Sequence, residues 1–213
     1  VHSVSITAEK MKNIKIIGYF FGCIQTSYFV GKKNNIDISK TGSGNLGTTN
    51  TVRALGIKVG LFTFFCDALK AAAAFYVCYF VFGENAVTAG FYGATGAIIG
   101  HDFPFFHHFK GGKGIAAMLG MMLGAFPFPA LIVYIIAIAV LMSGYVSLTS
   151  LVLSVLIPIS LSIWHYPTEV VVLTSALALL AFIQHRQNIK RLINGTESRF
   201  DIIGKLKPKK KER

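Results

Sequence analysis

Charge is what this chain is short of. Only 14% of its residues are Asp, Glu, Lys or Arg, against about a quarter in an ordinary soluble domain. The shortage is uneven. No Lys or Arg occurs from Ala71 to Phe109, and none from Gly114 to His185, where Glu169 is also the single acid. Stretches like these exclude a soluble core and read as membrane-spanning helices. Acids are scarcer than bases, nine against 21, which leaves a net charge of +12. Thiols are few as well. Cys23, Cys66 and Cys78 lie in apolar runs without Cys-x-x-Cys spacing, so neither a disulfide framework nor a thiolate metal site is indicated. No His has an Asp five positions on, which excludes the His-x4-Asp device of soluble-type acyltransferases. A signal-peptide cleavage pattern is missing too, so Ile14–Val30 reads as a retained first helix.

What is present is grease punctuated by basic loops. The chain is 53% hydrophobic with a mean hydropathy of +0.58. Its fold class is expected to be all-α, a polytopic integral membrane bundle forming one domain over residues 1–204. A basic tail over 205–213 is expected to be disordered and to lie near anionic lipid. A uniform basic coat would suggest nucleic acid. Bases confined to loops between apolar helices suggest phosphorylated substrates or lipid instead, so no nucleic-acid partner is expected.

Hydrophobic runs predict helices over Ile14–Val30, Leu55–Phe82, Ala86–Ile99, Ile115–Phe126, Pro129–Val146, Leu148–Trp164 and Thr168–Ile183. Three polar islands interrupt them: Lys40–Asn50, Lys110–Gly114 and His185–Arg191. All three are basic, so the positive-inside rule places them together on the cytoplasmic side. That demands an even number of spans between successive islands. Seven spans satisfy it, and five if the block from Ile115 to Ile183 holds only two. The N-terminus then lies outside and the C-terminus inside. Lys10, Lys12 and Lys15 resist this reading, since they flank the first helix on its external side. The small-residue stripe Gly90, Gly93, Gly96 and Gly100 reads as a close-packing seam between helices.

Each island has a chemical reading and a plain one. Gly42-Ser43-Gly44-Asn45-Leu46-Gly47 matches G-x-G-x-x-G, with Asp67 twenty residues beyond the last glycine. No apolar strand precedes it and a span follows, so a dinucleotide fold is excluded. Glycine-rich backbone with Ser43, Thr48, Thr49, Asn50 and Arg53 can still grip a phosphate. The plain alternative is a capped helix start at Asn50 or Thr51. Lys110-Gly111-Gly112-Lys113-Gly114 resembles half a Walker A loop, but Gly114 stands where a magnesium-holding hydroxyl belongs. It reads as an anion cradle with Lys113 as point charge, or as a flexible positive-inside anchor. His101, His107 and His108 precede it with only Asp102 as acidic company, which is a poor metal set. On a helical third island, His185, Asn188 and Arg191 or Leu192 would share a face. Asp67 and Lys70, three apart inside a span, read as an ion pair supporting the site.

The islands taken in order resemble the bacterial acyl-phosphate:glycerol-3-phosphate acyltransferases of the PlsY type. The resemblance runs from Gly31 to Glu197. It is carried by Gly42–Asn50 with Arg53, by Gly100-His101-Asp102-Phe103-Pro104 leading into Phe109–Gly114, and by His185–Leu192 ending in Gly195-Thr196-Glu197. It implies a seven-helix enzyme of the bacterial inner membrane with its site on the cytoplasmic face. The implied reaction moves a fatty acyl group from acyl phosphate to the 1-hydroxyl of glycerol 3-phosphate, giving lysophosphatidic acid and phosphate. Ser43, Arg53, Lys113, His185 and Asn188 carry over as the functional core. Gly42, Gly44, Asn45, Gly47, Thr49, Asn50, Gly111, Gly112 and Gly114 carry over as substrate contacts. Thr48, Ala71 and Ala117 depart from the residues common at those positions in the family. No metal, cofactor or obligatory protein partner is implied; membrane lipid is. An acyl phosphate is already activated, so a basic site that holds two anionic reactants together suits the chemistry. A transporter or channel for a small phosphorylated solute is the competing reading. It would need a polar path across the bilayer, and beyond Asp67 and Lys70 the spans offer only scattered Ser and Thr.

Overall fold

The computed structural model describes residues 8–83 and 85–200. The tail expected at 205–213 lies outside them. Ten α-helices follow one another: α1 (Ala8–Gly22), α2 (Thr26–Lys33), α3 (Thr48–Leu55), α4 (Ile57–Val81), α5 (Ala86–Asp102), α6 (Ile115–Met122), α7 (Phe128–Leu141), α8 (Val146–Ile163), α9 (Thr168–Gln184) and α10 (Arg186–Ile193). Among the described residues there is no strand.

One expected helix divides and a second starts late. The first breaks at Cys23–Gln25 because other groups capture the carbonyls that would carry it on. Lys70 Nζ of α4 takes Ile24 O at 2.7 Å, and Gln25 Nε2 reaches Gly22 O at 3.4 Å and His101 O at 3.1 Å. Apolar periodicity is blind to such capture. The second begins at Ile57, after Gly56 turns the chain at φ 85°. Residues 48–55 form a separate short helix that begins at the end of the first island. At the same end of the bundle α5 runs on through His101 and Asp102, both buried. Glu84, in the expected turn before α5, lies outside the described residues.

The helices show their grease outward. Phe65, Leu69, Phe80, Ile138 and Leu179 are each more than 60% exposed, the inverse of a water-soluble surface and the pattern of a lipid-facing one. By length and composition α4 and α8 can each cross a bilayer alone; α9 with α10, bent by 62°, adds a third candidate. The apolar helix Ile115–Ala125 rises about 16 Å, roughly half a hydrocarbon core. It lies beside α4 and runs the same way, with Gly120 against Ala68 and Gly124 against Phe75.

The glycine stripe is a seam, as expected. α1 and α5 run parallel with their backbones touching. A Cβ on Gly18 would fall 1.9 Å from Gly93 O, and one on Gly100 would fall 2.2 Å from Tyr19 O. Only hydrogen fits there, and close backbone approach is what holds helices together where lipid removes the hydrophobic drive. Phe75, Phe91, Met118, Met121, Leu153 and Ile157 fill the centre. The chain therefore alternates direction. α1, α5, α7 and α9 run toward the end that carries the islands, and α4, α6 and α8 run away from it.

Candidate active site

All three islands meet at that end. They line one cavity of about 990 Å3, joined by the start of α8 and by residues 197–200. Ser43, Arg53, Lys113, His185 and Asn188, expected from separate loops, all border it.

The first island is wired from within. Asn50 is 1% exposed. Its Nδ2 donates to Ile38 O and Thr41 O, both at 3.0 Å, and its Oδ1 accepts the Ser43 N–H at 3.1 Å. It borders the cavity, but its side chain serves the loop. Gly42 and Gly44 adopt φ 52° and 72°, which lets the loop double back. The leading N–H groups of α3, at Thr48 and Thr49, have no intrahelical acceptor and border the cavity.

The second island departs from the expected cradle of glycine amides. The Gly111 N–H donates to Asp102 O at 3.1 Å, and the Gly112 N–H to His101 O at 2.9 Å. Both continue the end of α5 and are already bonded. Gly112 does not border the cavity at all. A Cβ there would lie 1.8 Å from His101 Nε2, so what this glycine supplies is room for a buried imidazole. Likewise the Gly44 and Gly47 N–H groups bond Thr41 O and Asn45 O. The glycines shape the site, and side chains supply its charge. Leu46 N–H to Gly111 O, 3.2 Å, ties the first island to the second.

Lys113 stands at the centre. Its Nζ donates to Asn188 Oδ1 at 2.5 Å. Burial lowers its pKa to about 8, helped by the fields of Arg191, Arg186 and Arg53 and opposed by Glu197. Asn188 Nδ2 passes the chain on to Glu197 Oε1 at 2.8 Å, which also accepts the Ser147 hydroxyl at 2.9 Å. Arg191 Nε holds Glu197 Oε2 at 2.6 Å. One carboxylate thus ties α10 to the start of α8 and, through Asn188, to Lys113. Hydrogen bonds from Asn188, Arg191 and Ser147 outweigh its partial burial and hold its pKa below the ordinary glutamate value. Glu197 closes the third motif in the sequence but is absent from the expected site residues. Its signal was being an acid just past the basic run. Arg53 Nη2 donates to Ser198 Oγ at 2.6 Å, so the same segment also meets α3.

His185 sits where α9 turns into α10. Its Nδ1 is 2.8 Å from Ala181 O; a carbonyl only accepts, so Nδ1 carries the proton and Nε2 keeps a lone pair. Burial, with the Lys113 field second, lowers its pKa to about 4. The ring is neutral in the physiological range.

The expected ion pair lies at the wall of the cavity, which Asp67 and His101 line. Lys70 Nζ meets Asp67 Oδ1 at 2.9 Å, His101 Nδ1 at 2.8 Å and Ile24 O at 2.7 Å, which satisfies all three donors. Thr26 Oγ1 adds a bond to Asp67 at 3.2 Å. His101 is thereby engaged in this cluster, and His107 packs against Tyr28 with centroids 4.4 Å apart and planes tilted by 53°.

An all-helical bundle, apolar outside and basic in a cavity sunk into one end, defines a polytopic membrane protein that concentrates positive charge for an anion. Its particular kind follows from its relatives. Residues 13–195 match the family described as Glycerol-3-phosphate acyltransferase, and the chain belongs to that family. The glycerol-3-phosphate acyltransferase of Thermosipho melanesiensis is 39% identical over 88% of this chain and 92% of its own. That of Allorhizobium ampelinum is 40% identical over 89% and 90%. Two crystal structures of PlsY (YgiH), an integral membrane glycerol 3-phosphate acyltransferase, share the fold. The glycerol 3-phosphate form superposes with a TM-score of 0.84 at 31% identity, covering 91% of this chain and 97% of that one. The lysophosphatidic acid form gives 0.82 at 32%, covering 92% and 98%.

Proposed function

We propose that this protein is a glycerol-3-phosphate acyltransferase that uses acyl phosphate as donor and makes lysophosphatidic acid and phosphate. The observation that carries the reading is the meeting of Ser43, Arg53, Lys113, His185 and Asn188 around one basic cavity. Family membership supplies the reaction class.

The acceptor's phosphate sits among Arg53, Lys113 and the start of α3, with Ser43 as a further donor. Lys113 and the arginines screen the second phosphate, on the donor. Holding both anions side by side is the main catalytic task, because the mixed anhydride already has a good leaving group. The 1-hydroxyl oxygen attacks the acyl carbonyl carbon, the bond from that carbon to the phosphate oxygen breaks, and inorganic phosphate leaves with the electron pair. The hydroxyl proton goes to a phosphate oxygen. His185, neutral and fixed by Ala181, accepts a hydrogen bond through Nε2 and orients the acceptor. Glu197 positions Asn188 and Arg191.

Seven helices that alternate direction support seven spans, α1 and α4 through α9, with α2, α3 and α10 at the interface. The basic end faces the cytoplasm by the positive-inside rule. The membrane is the bacterial inner membrane, where glycerol 3-phosphate arrives from the cytosol and the donor from the lipid. No protein partner is required.

The test is the purified protein in detergent with acyl phosphate and labelled glycerol 3-phosphate. Labelled lysophosphatidate is expected, and its formation where no compartment exists excludes a pure transporter. Arg53→Ala and Lys113→Ala should each lower kcat/KM by about 100-fold or more. Folded protein that forms no product with any acyl phosphate overturns the reading.

A further inference from the structure

A second hollow, of about 660 Å3, lies beside the reaction cavity. Tyr28 and Lys32 of α2 line it on one side, Asn35 and Ser39 in the following loop on another, and His107 and Lys110 on the third. Lys110 borders both hollows, yet the chemistry above uses neither Lys32 nor the aromatic loop.

The rim is apolar and exposed. Phe105, Phe106 and Phe109 are 60%, 65% and 58% exposed. Phe105 contacts Phe106 and Phe109 edge-on at 5.3 and 6.2 Å. His108 and Phe109 are consecutive non-glycine residues at φ 52° and 58°, a conformation that side chains disfavour. The loop keeps it while its rings face away from the bundle. Phe29 of α2, edge-on to Tyr28, is equally uncovered.

The floor is basic. Among the described residues Asp37 is the one acid lining the hollow. Its carboxylate accepts the Ser39 N–H at 3.1 Å and hydroxyl at 2.6 Å, and pairs with Lys40 at 3.3 Å. Lys32 and Lys110 are left to supply the field. A soluble anion has no use for the exposed phenylalanines, and a neutral lipid has none for the lysines. We propose that this hollow seats the headgroup of an anionic phospholipid, its phosphate between Lys32 and Lys110 and its chains along Phe105 and Phe106. Exposed phenylalanines suit the boundary between headgroups and acyl chains, and lysines suit anionic lipid.

The test uses the full chain in bilayer nanodiscs. Trp164, the only tryptophan, is replaced by Phe, and Phe106→Trp reports on the hollow. Quenching by phosphatidylglycerol with brominated chains, a minor component in phosphatidylcholine, is compared with quenching by brominated phosphatidylcholine at the same fraction. The anionic lipid should quench more strongly, and Lys32→Ala should reduce that preference about fivefold. Lys33→Ala removes the same charge from the neighbouring residue, which does not line the hollow, and should leave the preference intact. Equal quenching by the two lipids overturns the proposal. So do equal losses from Lys32→Ala and Lys33→Ala, which mean diffuse attraction without a seat. Displacement of the preference by inorganic phosphate at matched ionic strength assigns the hollow to a soluble anion and overturns it as well. Acyl-transfer activity enters none of these readouts.

Discussion

Lys113 Nζ donates to Asn188 Oδ1 at 2.5 Å, across 75 residues of chain. The bond joins the loop before α6 to the helix after α9. It lies in a region where positive charge outweighs negative, since burial and then the fields of Arg191, Arg186 and Arg53 depress the Lys113 pKa more than Glu197 supports it. A site so biased is incomplete without an anion. Phosphate binding relieves the repulsion that the fold has assembled, and that relief is available to both reactants.

Loss of Glu197 should therefore be felt as lost orientation. Its carboxylate holds Asn188, Arg191 and Ser147 together. Glu197→Ala frees all three, and kcat/KM should fall about 100-fold, the scale of a displacement near 1 Å. Glu197→Gln keeps an acceptor for Asn188 and Ser147 but sets an amide against Arg191, so an intermediate loss is expected. Steady-state kinetics on protein of unchanged thermal stability checks this. Equal kinetics in the alanine variant and wild type would remove Glu197 from the account.

The pH dependence of kcat/KM should carry a limb near 8. Lys113 is charged below its pKa of about 8 and neutral above it, so binding of phosphorylated reactants weakens as pH rises through that value. The profile of kcat/KM reports the free enzyme, where this pKa applies. Lys113→Arg cannot titrate in the range and should shift the limb upward, whatever it does to the maximum. Glu197→Gln removes the one field that supports the charge and should shift the limb downward.

Much of this was legible in the sequence because lipid imposes simple rules. Apolar runs marked α4, α5 and α7 to α9 to within a few residues, apart from the end of α7. The glycine stripe marked the close contacts of α5 with α1 and α4. That Ser43, Arg53, Lys113, His185 and Asn188 belong to loops on one side was legible in the shared basic character of the three islands, and all five border one cavity. Three things were not legible. The break at Cys23–Gln25 depends on Lys70, 46 positions from Ile24, and no local pattern carries it. The internal bonding of the Gly44, Gly47, Gly111 and Gly112 amides follows from where α5 ends and how the loops fold back, so glycine-rich spacing alone suggested a nest of free donors. Glu197 matters through three partners that come together only after folding.

His185→Asn should retain turnover within about tenfold of wild type. A histidine with a pKa of about 4 is a weak base near neutrality, below the range where general-base catalysis contributes 100-fold or more. Its kcat/KM profile should likewise carry no histidine limb between pH 6 and 7.5. A collapse of kcat by a thousandfold, with KM for glycerol 3-phosphate unchanged, would instead make the imidazole the proton acceptor.

The Asp67–Lys70 pair should behave as a charge pair whose members depend on each other. Both are buried at the wall of the reaction cavity, 2.9 Å apart. Removing Lys70 alone leaves an uncompensated buried carboxylate and a broken tie to Ile24 O, a loss of about 3–5 kcal/mol. Lys70→Met should therefore lower thermal stability sharply, with activity falling alongside. The double variant Asp67→Asn, Lys70→Met removes both charges and should recover a large part of that stability, because replacing a buried pair by neutral groups of similar size is often close to neutral. The two substitutions then couple with opposite sign to a simple sum. Recovered stability without recovered activity would mean that the cluster also sets the position of His101 and, through Gly112, the loop that carries Lys113. Strictly additive losses of stability would mean that the two residues act separately, and the ion-pair account would fall.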